Sequence, residues 1–393
     1  MRIHINKDGL FCAVTIMFVF ATIIVDIFRK LGSGEGIESI RNIIYIFCFL
    51  FVIYHIYTER RTKLDIIFFL FFFPVQAFIT LLITPEIAPI FSFFILYYFS
   101  RDFVGYYLFS RLDDIEILKK NKWLMLVVAL SYSIMVMLQG FRTDSYMLSS
   151  YNLIIPTCIL LLYGMKEFRF IYLLGGGISC LTILLYGARG ALFCVGIGVL
   201  FYLVRSILKG RVTVKQVIII ACISVGLIFV MINFYAILGK IYEVTGSRTV
   251  KLILTGNIVS SYGRAEMYSA FRAEIKEAPL KYRGILADRV LAARMMNQTI
   301  SRGTYAHNIV YEILYEYGVV LGVPILLFIF YCVGTCIYKV IKKQNDDLYI
   351  LLVSIFPAGF CSLFFSGSYL NTHYFWMLLG LTYNVLKGNF SKV

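Results

Sequence analysis

The chain is 393 residues long, 60% hydrophobic and only 15% charged, with a formal net charge of +15. Its apolar residues come in repeated runs of about 20, the length that crosses a bilayer. That composition excludes a water-soluble globular protein and predicts an all-α polytopic membrane protein in which residues 1–393 form one integral membrane domain.

In chain order, the apolar runs predict about twelve transmembrane helices near residues 9–26, 40–57, 64–83, 87–107, 122–140, 150–165, 168–186, 190–208, 216–238, 317–338, 348–366 and 373–387. The first run follows Arg2 and Lys7 in the manner of a signal peptide. What comes after it is Asp26-Ile27-Phe28-Arg29-Lys30 rather than a small-residue cleavage site, so it is read as an uncleaved span. The fourth run is interrupted by Arg101 and Asp102, and the tenth has an indistinct start. The Gly175-Gly176-Gly177 run has no strand before it and predicts close helix packing rather than a phosphate loop. The nine cysteines lie in or beside the spans, without a CxxC pair or a His/Cys cluster, and read as small core residues.

Short basic connections set the orientation. Residues 58–63, 119–122, 166–169, 209–215 and 339–343 are rich in Lys and Arg and fall on one side under a twelve-span count, which makes that side cytoplasmic. Both termini are then cytoplasmic. The alternate connections, such as 84–86 and 366–372, carry almost no Lys or Arg. Residues 239–306 form one large outer loop with 11 Lys/Arg against 5 Asp/Glu between Lys240 and Arg302. Loops of this length escape the charge rule for insertion. The surplus suits either anionic lipid headgroups or an anionic substrate at the outer face, and no nucleic-acid partner is expected.

Within that loop, residues 264–278 predict an amphipathic helix, with Tyr268, Phe271 and Ile275 on one stripe and Pro279 as its stop. After His307, the residues Val310, Ile313, Leu314 and Tyr317 repeat at helical spacing, Glu312 and Glu316 share a face, and Asn308 is suited to cap. His307 therefore stands at a helix N-terminus, where the positive end of the dipole holds an imidazole neutral. Arg189, in the break Gly187-Ala188-Arg189-Gly190, also begins a helix. A guanidinium beside free backbone N–H groups makes a phosphate site, although an arginine that merely snorkels at a helix end has the same pattern.

Three segments carry a resemblance. They are Arg189-Gly190-Ala191-Leu192; then Tyr262-Gly263-Arg264 with Tyr268, Ala270, Phe271, Pro279-Leu280 and Gly284; then His307-Asn308 with Glu312, Ile313, Leu314 and Gly318. In order and spacing they resemble the O-antigen polymerase and O-antigen ligase superfamily over about residues 170–330. The chain departs from that pattern at Ala188, where a Ser is common, at Tyr268, where a Trp is common, and at Gly284, which lacks a second glycine beside it. The resemblance implies a membrane-embedded fold of the GT-C type and a glycosyltransferase that needs neither metal nor cofactor. Its donor and acceptor would be glycans linked to undecaprenyl pyrophosphate, with membrane lipid and a chain-length-determinant protein as further partners.

The residue chemistry points the same way. Displacing a lipid pyrophosphate builds negative charge that needs cations held in advance, a role suited to Arg189 and Arg264 as substrate-binding residues. The attacking hydroxyl must lose a proton, and His307 is the candidate catalytic base. No pair of outer-loop carboxylates suggests a retaining route, so a single inverting displacement is expected. A polymerase of surface polysaccharide at the outer face of a bacterial inner membrane is the favoured reading. A ligase acting on lipid A core and a flippase for lipid-linked oligosaccharide are the alternatives.

Overall fold

The computed structural model describes residues 7–30, 36–58, 64–139, 150–186, 189–209, 234–246, 250–251, 254–255, 264–301, 303–343 and 345–388. Among these the regular elements are all helical. The N-terminal half holds α1 (Lys7–Lys30), α2 (Gly36–Thr58), α3 (Leu64–Ile83), α4 (Ala88–Tyr97), α5 (Val104–Ser110), α6 (Lys122–Gln139), α7 (Ile154–Glu167), α8 (Phe170–Tyr186) and α9 (Arg189–Leu208). Then come α10 (Phe234–Thr245), α11 (Arg264–Glu277), α12 (Ala287–Met296), α13 (Ile309–Lys342), α14 (Asp346–Gly359) and α15 (His373–Lys387).

Seven helical segments are long and apolar enough to cross a membrane: 9–28, 39–58, 64–83, 85–110, 190–208, 309–342 and 346–364. Shorter apolar helices at 122–136 and 170–185 match two more of the expected spans. The expected spans at 150–165 and 373–387 correspond to α7 and α15, while the one at 216–238 lies outside the described residues apart from its last turn. Large apolar side chains stay exposed along α2, α3 and α13, among them Ile43, Phe47, Leu50, Phe71, Phe78, Leu82, Leu327 and Phe328. Such faces are compatible with a lipid surround.

The interrupted fourth span is continuous. A six-residue π-helical stretch, Tyr98–Phe103, joins α4 to α5 and takes up Arg101 and Asp102 without ending the helix. Small residues close the packing around it. A Cβ on Gly380 of α15 would strike the backbone of Tyr106 and Ser110 in α5, and one on Gly176 of α8 would come within 2.7 Å of Leu161 in α7. The glycine run thus packs helices as expected. Trp376 is fully buried among Phe69, Phe73 and Tyr98, and its indole Nε1 donates to the Tyr369 carbonyl at 2.8 Å.

Ion pairs gather the basic connections at one end of the bundle. Lys119 and Lys166 both reach Asp347, at 3.0 and 2.6 Å, and Arg205 and Lys209 reach Asp346 at 3.2 and 3.3 Å. These two aspartates open α14, capped by Asn345, where a negative charge also suits the helix dipole.

The indistinct start of the tenth span has a physical cause. Helix α13 begins early, at Ile309, but Gly318 within it takes φ +68° and ψ 172°, a conformation open essentially to glycine alone. An unbroken helix from 309 to 342 would measure about 51 Å, far beyond the roughly 30 Å hydrocarbon layer. The break divides the stretch 309–317, called the outer arm after the side expected for the loop before it, from the apolar stretch that follows. At the break Val319 N donates to the Pro279 carbonyl at 2.7 Å, and Arg283 N and Gly284 N donate to the Glu316 carbonyl at 2.9 and 3.0 Å. The Pro279–Gly284 connection therefore wraps around Gly318, and a Cβ there would meet the carbonyl oxygens of Pro279 and Lys281 at 3.1 Å.

Candidate active site

The turn that follows α14 is where segments remote in sequence meet. Arg264, the first residue of α11, donates Nη1 to the Phe365 carbonyl at 2.8 Å. His307 Nδ1 lies 3.4 Å from the Ser366 carbonyl, Tyr305 donates its hydroxyl to that same oxygen at 2.7 Å, and Asn308 Nδ2 reaches the Phe364 carbonyl at 3.4 Å. The start of α9 abuts the turn as well. A Cβ on Gly190 would touch Phe365 Cβ at 3.2 Å and strike the Tyr151 hydroxyl, and the ring of Phe193 meets that of Phe365 edge-on at 5.2 Å. Two expected site residues, Arg264 and His307, thus converge on one turn. Arg189 opens the helix beside it, while its side chain, like Tyr262, lies outside what is described.

His307 is held in an unusual backbone state, φ +54°, which a non-glycine residue adopts only under constraint. The constraints are visible. Tyr268 donates to the His307 carbonyl at 3.3 Å, Ala306 N donates to Asp288 Oδ2 at 3.0 Å, and Asn308 caps α13 by accepting from Val310 N at 2.9 Å. The Tyr305 ring lies against the imidazole, 4.1 Å between centroids.

Part of the imidazole surface stays open although protein atoms crowd it on most sides. That enclosure, and next the positive charge of Arg264, pushes its pKa down to about 4, with an opposing effect of the Ser366 carbonyl and a lesser lowering by Arg289. The ring is neutral at pH 7. Because Nδ1 faces a carbonyl oxygen, the proton belongs on Nδ1, which leaves the Nε2 lone pair as the acceptor.

Below His307 lies a fully buried cluster. Arg289 Nη1 contacts Asp288 at 2.5 Å, Glu312 at 3.6 Å and Glu316 at 4.0 Å, and its Nη2 donates to Ser368 Oγ at 3.0 Å. The carboxyls in turn hold backbone. Glu316 accepts from Leu286 N at 2.6 Å and from the Tyr369 hydroxyl at 2.5 Å, and Glu312 accepts from the Ser368 hydroxyl and from Tyr369 N at 3.3 Å. One guanidinium therefore links α12, the outer arm of α13 and the 366–370 loop. Burial works against its charge, but the three carboxyls together outweigh it and hold Arg289 above its ordinary pKa. Asp288, Glu312 and Glu316 bring oxygen atoms within 4.8 Å of one another, a donor set that could by number hold a divalent cation. In this arrangement Arg289 is the cation they share.

Helix α11 shields the cluster from above. It spans Arg264–Glu277, close to the expected boundaries, and buries Met267 and Phe271. Its apolar stripe packs on the α13 arm, with Tyr268 stacked on Tyr311 at 5.0 Å and Phe271 edge-on to Tyr315 at 5.1 Å. The expected outer-surface helix is thus docked on protein.

Sequence reasoning missed Asp288 and Arg289, and with them the buried network. It read Arg101 only as an interruption of the fourth span and did not count His373 among the site residues; both line a cavity that Tyr305 also lines. A usable signal existed in Arg101, Asp102, Glu312 and Glu316, charges set on otherwise apolar helices, where charge is retained for a partner or a function. Comparison with protein-family models, with curated proteins and with solved structures gave no match.

Proposed function

We propose that the protein is a membrane-embedded, metal-independent inverting glycosyltransferase that polymerises a surface polysaccharide at the outer face of a bacterial inner membrane. It would transfer a glycan from undecaprenyl pyrophosphate to a second lipid-linked repeat unit, with a chain-length-determinant protein as the expected partner. One observation carries this reading: a guanidinium, a neutral imidazole and the start of a helix, drawn from residues 189, 264 and 307, meet at the carbonyls of Phe364 to Ser366. Their end of the bundle lies opposite the lysine-rich connections, the end read as cytoplasmic.

In this mechanism the acceptor hydroxyl oxygen attacks the anomeric carbon from the face opposite the diphosphate. The new C–O bond forms as the old one breaks, and the electron pair of the old bond leaves on a diphosphate oxygen stabilised by Arg264 and Arg189. The hydroxyl proton passes to Nε2 of His307. The imidazole of the unliganded site is a weak base first because protein encloses it and then because of the field of Arg264. A diphosphate bound to Arg264 cancels that field and raises the basicity of His307, so the base is activated only once the donor is in place. The three carboxyls beneath are engaged with Arg289 and backbone N–H groups, and a single displacement asks nothing further of them.

The test is glycan profiling of a deletion strain complemented with wild type, His307→Ala, Arg264→Ala or Arg189→Ala. Each variant is expected in the membrane at normal abundance, with glycan extension reduced about 10²–10⁴-fold. Normal chains from all three would refute the assignment. In the deletion strain itself, surface lipid capped with a single repeat unit indicates the polymerase. Bare core with accumulated long lipid-linked chains indicates a ligase, and repeat units trapped on the cytoplasmic leaflet indicate a flippase.

A further inference from the structure

A cavity of about 420 Å³ lies on the opposite side of Tyr305 and Ser366 from His307. Its size falls within the range of small-molecule sites, roughly 300–1,000 Å³. The wall is built by Arg41 at the start of α2, Tyr97 and Arg101 around the π-helical stretch, Asn152 before α7, and His373 at the start of α15. No carboxylate side chain is among the lining residues.

The polar groups of this wall are incompletely used. His373 and Asn152 are 5% and 2% exposed, yet among the described residues His373 Nε2 and Asn152 Nδ2 have no hydrogen-bond partner, and neither has the buried Nε of Arg41. Buried donors in a folded protein are nearly always satisfied. Two such donors and an imidazole nitrogen, in or just behind the wall of one cavity that two guanidinium groups also line, suit a ligand that accepts hydrogen bonds. Arg101 is held for the same purpose, its guanidinium 4.3 Å from the ring centroids of both Tyr45 and Tyr97. Tyr97 is itself fixed by donating to the Asn371 carbonyl at 2.8 Å. Asp102, next in the chain, is buried but does not line the cavity. A π-helical insertion inside an α-helix is a local cost that often marks a functional position, and here it carries the arginine.

We infer that this cavity is a second oxyanion site, which takes the phosphoryl group of a second substrate molecule and so sets the acceptor beside His307. The inference rests on the two-substrate reaction proposed above. Two cationic sites share one wall: Arg264 on the His307 side, Arg41 and Arg101 on the other, with Ser366 between them. Phosphoryl oxygens could reach it on a lipid carrier or as free diphosphate, and both present the same acceptors to the same donors.

Calorimetric titration of the full chain in neutral-lipid nanodiscs tests this, with inorganic pyrophosphate, farnesyl diphosphate and glucuronate as probes. Wild type should bind two diphosphates per chain. Arg41→Gln and Arg101→Gln should each weaken one event at least tenfold and spare the other, while Arg264→Gln should do the reverse. Binding of farnesyl diphosphate alone assigns the lipid-borne source, and equal binding of pyrophosphate assigns the free one. Unchanged titrations in both Arg41→Gln and Arg101→Gln, or glucuronate bound as tightly as diphosphate, overturn the inference. Loss of an event in Arg41→Gln, with Arg264→Gln unaffected, leaves this site standing and removes the support for the proposed function instead. If Arg101→Gln fails to run as a single species in gel filtration, the half-buried Arg41→Gln and Asn152→Leu carry the test.

Discussion

Acid should unfold this protein partly through His307. The ring has its ordinary pKa of 6.5 in the unfolded chain and about 4 in the folded one, lowered first by burial and then by Arg264. Between those values the unfolded chain takes up a proton that the folded one refuses. Stability is therefore full above pH 6.5 and falls as the pH drops toward 4. Each pH unit is worth about 1.4 kcal/mol, so the full window amounts to about 3 kcal/mol at most, and less in proportion to the open part of the ring. The assay is reversible unfolding of purified protein in SDS at a series of pH values, wild type against His307→Gln. Other titrating groups are common to both proteins and cancel in the difference. That difference should grow from pH 4 to 6.5 and then level off, and Arg264→Gln should narrow the window from its acid side. A difference flat between pH 4 and 7 would refute the account of how the ring is kept neutral.

Replacing Arg289 with Met leaves three buried carboxyls without their cation, and a loss on the order of 3–5 kcal/mol is expected in the same unfolding assay. Adding Glu312→Gln and Glu316→Gln should recover part of it, and no recovery would show that charge is not the cause. Gly318→Ala should cost about 1–3 kcal/mol, because an L-residue is strained at that backbone conformation and its Cβ meets two carbonyl oxygens; the readout is the unfolding midpoint together with protease sensitivity of the outer arm. Asn308→Ala removes the cap of α13 at a cost of about 1 kcal/mol, whereas Asn308→Asp should retain most of it.

Local chemistry explains which features could be read from the chain. Asn308 caps, Pro279 follows the end of α11 and the glycine run packs helices, because each depends on neighbours within a turn or on side-chain volume alone. The shared face of Glu312 and Glu316 was also legible, but not their partner. Arg289 sits directly after Asp288 and looks like half of a solvated charge pair until folding brings α13 over α12. Likewise, Arg101 reads as a break in a span, since the rings that sandwich it come from different helices and the π-helical stretch admits it without a turn. The outer helix 264–277 had the right pattern for a membrane surface, yet Tyr311 and Tyr315 offered its apolar stripe a protein partner.

The carbonyls of Phe365 and Ser366 come after the residues they gather, at positions 264 and 307, and after the start of α9 that abuts them. Ribosomal synthesis runs from the amino end, so those residues cross or reach the membrane while the turn that assembles them has yet to be made. Assembly of this constellation must then wait for the closing α14–α15 segment. A nascent chain caught midway carries Arg264 and His307 apart from the carbonyls that later hold them.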